Sequence, residues 1–195
     1  MKLLLLAGVA SFTGLFGHAQ SPLEIAPEHL EAFWPLDEGL TDASGHGHHP
    51  TVVQGVAGTE DRFGLPNAAQ MFNGTNGMIE IPSAAGFNSL PITIAAWFKP
   101  NDVPSNEWSH QIIGKYIDAS WNGWFIRLKS TNDLMIPAYM VGIPSSGCDA
   151  VIEGYGCGGG INHASDSSWA AAWHHMAFVV DEEAGRLYID GELRS

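Results

Sequence analysis

Seven tryptophans in 195 residues are the side chains with the most to offer a ligand. Four of them, Trp108, Trp121, Trp124 and Trp169, stand beside polar residues. The stretch "DASWNGWF" gathers Asp118, Trp121, Asn122 and Trp124 at the entry to an apolar run. An indole offers a flat apolar face to a sugar ring, and neighbouring Asp and Asn can bond its hydroxyls. Tyr155 and Trp169 flank a glycine- and serine-rich segment and form a second candidate patch. The competing reading is that an individual Trp fills a core. Trp97 and Trp173, in or beside dense apolar runs, are read that way.

The histidines and acids suggest other chemistry. His174 and His175 are adjacent in a strand-like run, so their rings point to opposite faces and cannot both ligate one ion. They are read as structural. "DASGHGHH" collects His46, His48 and His49 in a glycine-rich turn, where chelation of a soft metal competes with a plain turn role. Asp42 opens that turn. Its carboxylate either caps a backbone amide two residues on or supplies one oxygen to a calcium ion. Asp37 and Asn76 are secondary candidates for the same cation.

Hydrolysis is disfavoured. It needs paired acids, or a nucleophile with a base. "GMIEIP" carries Glu80 alone, "FIRLKS" carries no acid, and no Gly-x-Ser-x-Gly elbow occurs. Glu182 and Glu183 fall in a predicted hairpin turn, where acids are usually solvated.

The elements that must position these residues are strands. Charged residues are only 15% of the chain, against 23 Gly and 11 Pro, a balance that favours an all-β domain rich in turns. "EAFWPL", "PTVVQGV", "AAQMF", "GMIEIP", "ITIAAWFKP", "HQIIGKY", "GWFIRLKS", "DLMIPAYM", "WHHMAFVVD" and "GRLYIDG" are short apolar or alternating runs separated by turn-formers. In the strongest, Ile92, Ile94, Ala96 and Phe98 alternate with Thr93, Ala95, Trp97 and Lys99. "VVDEEAGRLYIDG" reads as a hairpin, with Leu187 and Ile189 on one face. Gly191 permits a turn into a further strand starting at Glu192.

The first nineteen residues read as an export leader. Lys2 is the positive end, Leu3 to Phe16 the apolar stretch, and Gly17-His18-Ala19 the cleavage site. A linker over residues 20–30 and one domain over 31–195 follow. The formal charge is −13, and loss of Lys2 takes it to about −14, which disfavours nucleic acid and anionic membranes as partners. In an exported chain, Cys148 and Cys157 are expected to form a disulfide worth about 2–3 kcal/mol by loop closure. A metal pair is the weaker alternative, since two thiols do not complete a zinc site. The segment 142–168 is long for a loop, which points to function or disorder. Asn73-Gly74-Thr75 matches the glycosylation sequon.

"AFWPLDEGLTDASGHGHHPTV", "DRFGLPNAAQMFNGTNGMIEIP", "ITIAAWFKP" and "WHHMAFVVDEEAGRLYIDGEL", in this order, resemble laminin-G-like domains of the concanavalin A-like lectin/glucanase superfamily. The resemblance implies a two-sheet antiparallel jelly-roll sandwich that binds ligands, with structural calcium as its possible cofactor. Three departures stand out. The last strands are missing, which suggests a fragment of a longer protein. The 142–168 insertion is longer than usual. The family's Phe-Asp-Gly is here Phe72-Asn73-Gly74. The family turn commonly carries Asn in place of His46 and His48, which weakens the chelation reading. The expected role is an extracellular, cell-surface or periplasmic module without catalysis, recognising a carbohydrate or glycoconjugate. A protein-docking adhesion module and a divergent glycan hydrolase or lyase are the alternatives.

Overall fold

The computed structural model of the chain describes residues 2–6, 22–25, 27–101, 111–117, 122–128, 134–135, 138–139, 171–181 and 185–193. Its strands are β1 (Lys2–Leu6), β2 (Leu30–Trp34), β3 (Val52–Gln54), β4 (Val56–Thr59), β5 (Ala69–Phe72), β6 (Met78–Glu80) and β7 (Ile92–Phe98). They continue as β8 (Gln111–Ile117), β9 (Asn122–Leu128), β10 (Leu134–Met135), β11 (Ala138–Tyr139), β12 (His174–Val180), β13 (Gly185–Ile189) and β14 (Glu192–Leu193). Each run expected to be extended contains a strand. "PTVVQGV" holds two, β3 and β4, broken at Gly55, whose φ of 59° a side chain would strain.

Six strands form the main sheet in the order β14-β13-β12-β7-β1-β2. Along β12 and β7, His174 pairs with Phe98 and Val180 with Ile92. A second sheet has the order β10-β9-β11, with β8 also paired to β9. Two ribbons, β3 with β6 and β4 with β5, complete the described sheet structure. The two ladders of β1 are parallel, and every other described ladder is antiparallel.

The core lies between the two larger sheets. Ile92, Ile94, Ala96 and Phe98 of β7 meet Met176, Phe178 and Val180 of β12, and Leu187 and Ile189 of β13. From the second sheet Ile126 is fully buried among them, with Ile112 and Ile113 packed alongside. Alternation is what sorts these residues, because successive side chains of a strand leave on opposite faces. Trp97 packs against a second, smaller apolar cluster and not against the main core. It lies half-buried on the other face of the main sheet, against Leu30 and Phe33. β2 begins at Leu30, which is buried.

Candidate functional site

Two constellations of polar and aromatic side chains surround the main sheet. The first is the turn opened by Asp42. The Asp42 side chain is buried, at 6% exposure. Its Oδ1 accepts the amides of Phe33 at 3.0 Å and Ser44 at 2.9 Å. Its Oδ2 accepts the Ser44 hydroxyl at 2.8 Å and the His48 amide at 3.0 Å. Burial works against the charged form, but these four bonds outweigh it and hold the carboxyl below the ordinary 3.8. Further bonds tie the turn to β2: the Ala43 amide donates to the Phe33 carbonyl, and Trp34 Nε1 donates to the His48 carbonyl at 2.8 Å.

This arrangement bears directly on calcium. A carboxylate oxygen has two lone-pair sites, and all four on Asp42 are taken by protein donors. Asp37 Oδ1 accepts the Gly39 amide at 3.1 Å in its own exposed turn. Asn76 Oδ1 accepts Asn73 Nδ2 at 2.7 Å. No group of three His, Cys, Asp or Glu suited to a metal occurs among the described residues. The histidines of the turn serve it in other ways. His49 Nδ1 accepts the Asp42 amide, His46 Nδ1 lies 3.0 Å from the Glu31 carbonyl, and the His48 ring packs on Phe87 at 4.8 Å.

Asn73 shows how its departure from the family pattern is accommodated. Its Oδ1 accepts the amides of Thr75 and Asn76, both at 3.0 Å, as a carboxylate would. Its Nδ2 makes the bond to Asn76 that an Asp could not.

The second constellation lies on the outer face of the main sheet. The loop 61–65 is built around Asp61, 5% exposed, whose Oδ1 accepts the amides of Phe63 at 2.8 Å and Leu65 at 2.9 Å. Asp61 Oδ2 is buried without a hydrogen-bond partner. The loop lays Arg62 across two rings: its guanidinium carbon is 4.2 Å from the Phe63 centroid and 4.6 Å from that of Trp97. The His175 ring lies 5.0 Å from Trp97. Phe63 is 57% exposed, so this stack presents an aromatic edge with a cation set into it.

Burial lowers the His175 pKa below 6.5; the Asp190 carboxylate opposes the shift and Arg62 adds to it. His174 lies on the other face, its ring 6.0 Å from Phe98 and its Nδ1 2.9 Å from Asp190 Oδ2. Asp190, at φ 51°, also accepts the His175 amide at 2.8 Å and returns its own amide to the His175 carbonyl. The carboxylate thus fastens the end of β13 to the start of β12.

Of the ligand-binding residues expected from sequence, Asn122 and Trp124 lie on β9, opposite Ile117 and Lys115 of β8. Trp124 also pairs with Ala138 of β11. Trp108, Asp118, Trp121, Tyr155 and Trp169 lie outside the described residues, as do Cys148 and Cys157. Sequence reading missed the Arg62, Phe63 and Trp97 stack. The available signal was a cation beside an aromatic residue in a chain with only eight Lys and Arg.

Two facing β-layers around one apolar core define a β-sandwich. The family model described as the concanavalin A-like lectin/glucanases superfamily, of laminin G type, matches residues 73–195. The chain belongs to that family. No curated protein matches it. Among solved structures, the crystal structure of the binding domain of Paraclostridial Mosquitocidal Protein 1 is similar at 18% identity and a TM-score of 0.49, over 80% of this chain. The match spans 36% of that structure's chain.

Proposed function

We propose that this domain is a non-catalytic, extracellular recognition module for a carbohydrate or glycoconjugate. The observation that carries the reading is membership of a lectin-containing superfamily across residues 73–195. The partly exposed stack of Arg62, Phe63 and Trp97 supports it, because aromatic faces hold sugar rings and a guanidinium bonds their oxygens. The ligand surface is proposed to include Trp108, Asp118, Trp121, Asn122, Trp124, Tyr155 and Trp169. Secretion to the medium, the cell surface or the periplasm follows from the leader read at residues 1–19. No described helix is long and apolar enough to cross a membrane.

A glycan array probed with the full chain tests the proposal. Binding to one sugar class, lost at least about tenfold in Trp121→Ala, is the expected result, since single stacking contacts carry energies of this order. Silence on every glycan ends the carbohydrate reading. A second reading, docking of another protein, has its own support. Val53, Met71, Phe72 and Met78 of the two ribbons are 40–47% exposed, and exposed apolar side chains of this kind mark interaction surfaces when they are contiguous.

A further inference from the structure

The chain contains three Asn-Gly pairs: Asn73-Gly74, Asn76-Gly77 and Asn122-Gly123. Such a pair is open to a reaction of the chain with itself. The glycine nitrogen, with no side chain beside it, can approach the asparagine side-chain carbon closely. The fold treats the three pairs differently.

Asn122 and Gly123 lie in β9. Asn122 pairs with Ile117 of β8, and Gly123 with Tyr116 of β8 and Tyr139 of β11. A backbone paired on both sides resists the rotation that ring closure needs. Asn76 is turned away from its glycine. Its Oδ1 accepts Asn73 Nδ2 at 2.7 Å, toward the preceding residues. Gly77 is also enclosed: a side chain on Gly55 would meet the Gly77 nitrogen at 2.9 Å. A side chain on Gly77 would meet the Gly55 carbonyl and Phe72 Cβ at 3.0 Å.

Asn73 is arranged the opposite way. Its Oδ1 accepts the amides of Thr75 and Asn76, both at 3.0 Å, which folds the side chain forward over the Gly74 peptide. Two donors on that oxygen polarise Cγ and stand ready for the negative charge the oxygen takes on when Cγ is attacked. Gly74 has φ 70° and open space where a side chain would stand. Asn73 is itself exposed, so water reaches the pair.

Independent of both the glycan and the leader readings, we propose that Asn73 is a modification site. In the folded chain it converts unaided to aspartate and isoaspartate, while Asn76 and Asn122 are spared. The Gly74 nitrogen gives up its proton and bonds to Asn73 Cγ. The Cγ–Nδ2 bond breaks, and Nδ2 leaves as ammonia with that proton, so a cyclic imide remains. Water, the sole co-reactant, then opens the imide. Opening at Cγ gives aspartate, and opening at the main-chain carbonyl carbon gives isoaspartate.

Both products alter the segment joining β5 to β6. In the aspartate an oxygen replaces Nδ2, so two acceptors face each other at the Asn76 Oδ1 and the bond between the side chains is lost. In the isoaspartate the main chain is one carbon longer at the residue whose amide donates to the Gly55 carbonyl at 2.9 Å. Each product places a new negative charge next to Phe72, which is 44% exposed. The apolar surface of the ribbons thereby changes with the age of the molecule.

The test holds the full chain in mildly alkaline buffer, with a matched sample in urea, and digests both at intervals. Chromatography with mass spectrometry resolves asparagine, aspartate and isoaspartate at each position. In the folded chain Asn73 is expected to convert at least about tenfold faster than Asn76 or Asn122, an effect of orientation alone. In urea the three rates are expected to converge, because the fold no longer distinguishes the pairs. A smaller preference for Asn73 in the folded chain overturns the proposal. So does a preference that persists undiminished in urea, which would trace it to neighbouring residues and not to the fold.

Discussion

Asp42 and Asp61 are equally hidden, at 6% and 5% exposure, yet they are built into the molecule differently. Asp42 receives four hydrogen bonds, two on each oxygen. Asp61 receives two on Oδ1, while Oδ2 is buried without a partner. Burial therefore does not by itself reveal what a carboxylate does. The saturated group is a staple: it gathers Phe33, Ser44 and His48 and leaves no acceptor for a cation. The half-satisfied group shapes the loop that places Arg62 over Trp97.

The largest expected effect follows from the staple. Asp42→Ala leaves the buried Phe33 amide and three further donors without their acceptor, and should cost about 3 kcal/mol. For a domain of this size that lowers Tm by about 6–12 °C. Asp61→Asn retains an acceptor for the Phe63 and Leu65 amides and replaces the unpartnered oxygen with an amide nitrogen. It should change stability by less than about 1 kcal/mol. Denaturant unfolding of both variants decides the matter, and a larger loss at position 61 than at position 42 would break the contrast.

Acidity separates the groups more finely. Asp42 has a folded pKa below its ordinary 3.8, so its contribution is complete above that value and is lost as pH falls through the folded pKa. In Asp42→Asn this acid limb of the stability curve should flatten. His175 shows the reverse chemistry with the same sign. Its folded pKa is below 6.5, so the folded state holds fewer protons, and stability falls as pH drops through the ordinary histidine range. His175→Phe should remove that slope between about pH 7 and 5 while leaving the Asp42 limb in place.

Smaller effects complete the series. Phe63→Ala removes a side chain that is 57% exposed, and its stability cost should stay under about 1 kcal/mol. If the outer face binds sugar, the same variant should weaken that binding. With Asp42 saturated, a calcium chelator should leave Tm unchanged. A fall of several degrees would place a cation among ligands other than the arranged Asp42, Asp37 and Asn76.

What could be read from sequence was local. The two faces of β7 followed from alternation at Ile92, Ile94, Ala96 and Phe98, and the opposed rings of His174 and His175 from their adjacency in a strand. Leu187 and Ile189 were assigned to one face for the same reason, and both are fully buried. The capping role of Asp42 was half visible, because the bond to Ser44 spans two residues. The bond to Phe33, nine residues earlier, was not. The tryptophan constellation drawn from sequence is represented in the described structure only by Asn122 and Trp124 on β9.

Sequence alone determined the strands from β2 onward, the inward faces of β7 and β13, and the family pattern, because side-chain alternation along an extended chain is set residue by residue. Tertiary structure decided that Arg62 lies on Trp97, thirty-five positions away, and that Lys2–Leu6 separates β2 from β7. Such neighbours are chosen by packing between distant segments, and no repeat along the chain encodes which strand lies beside which.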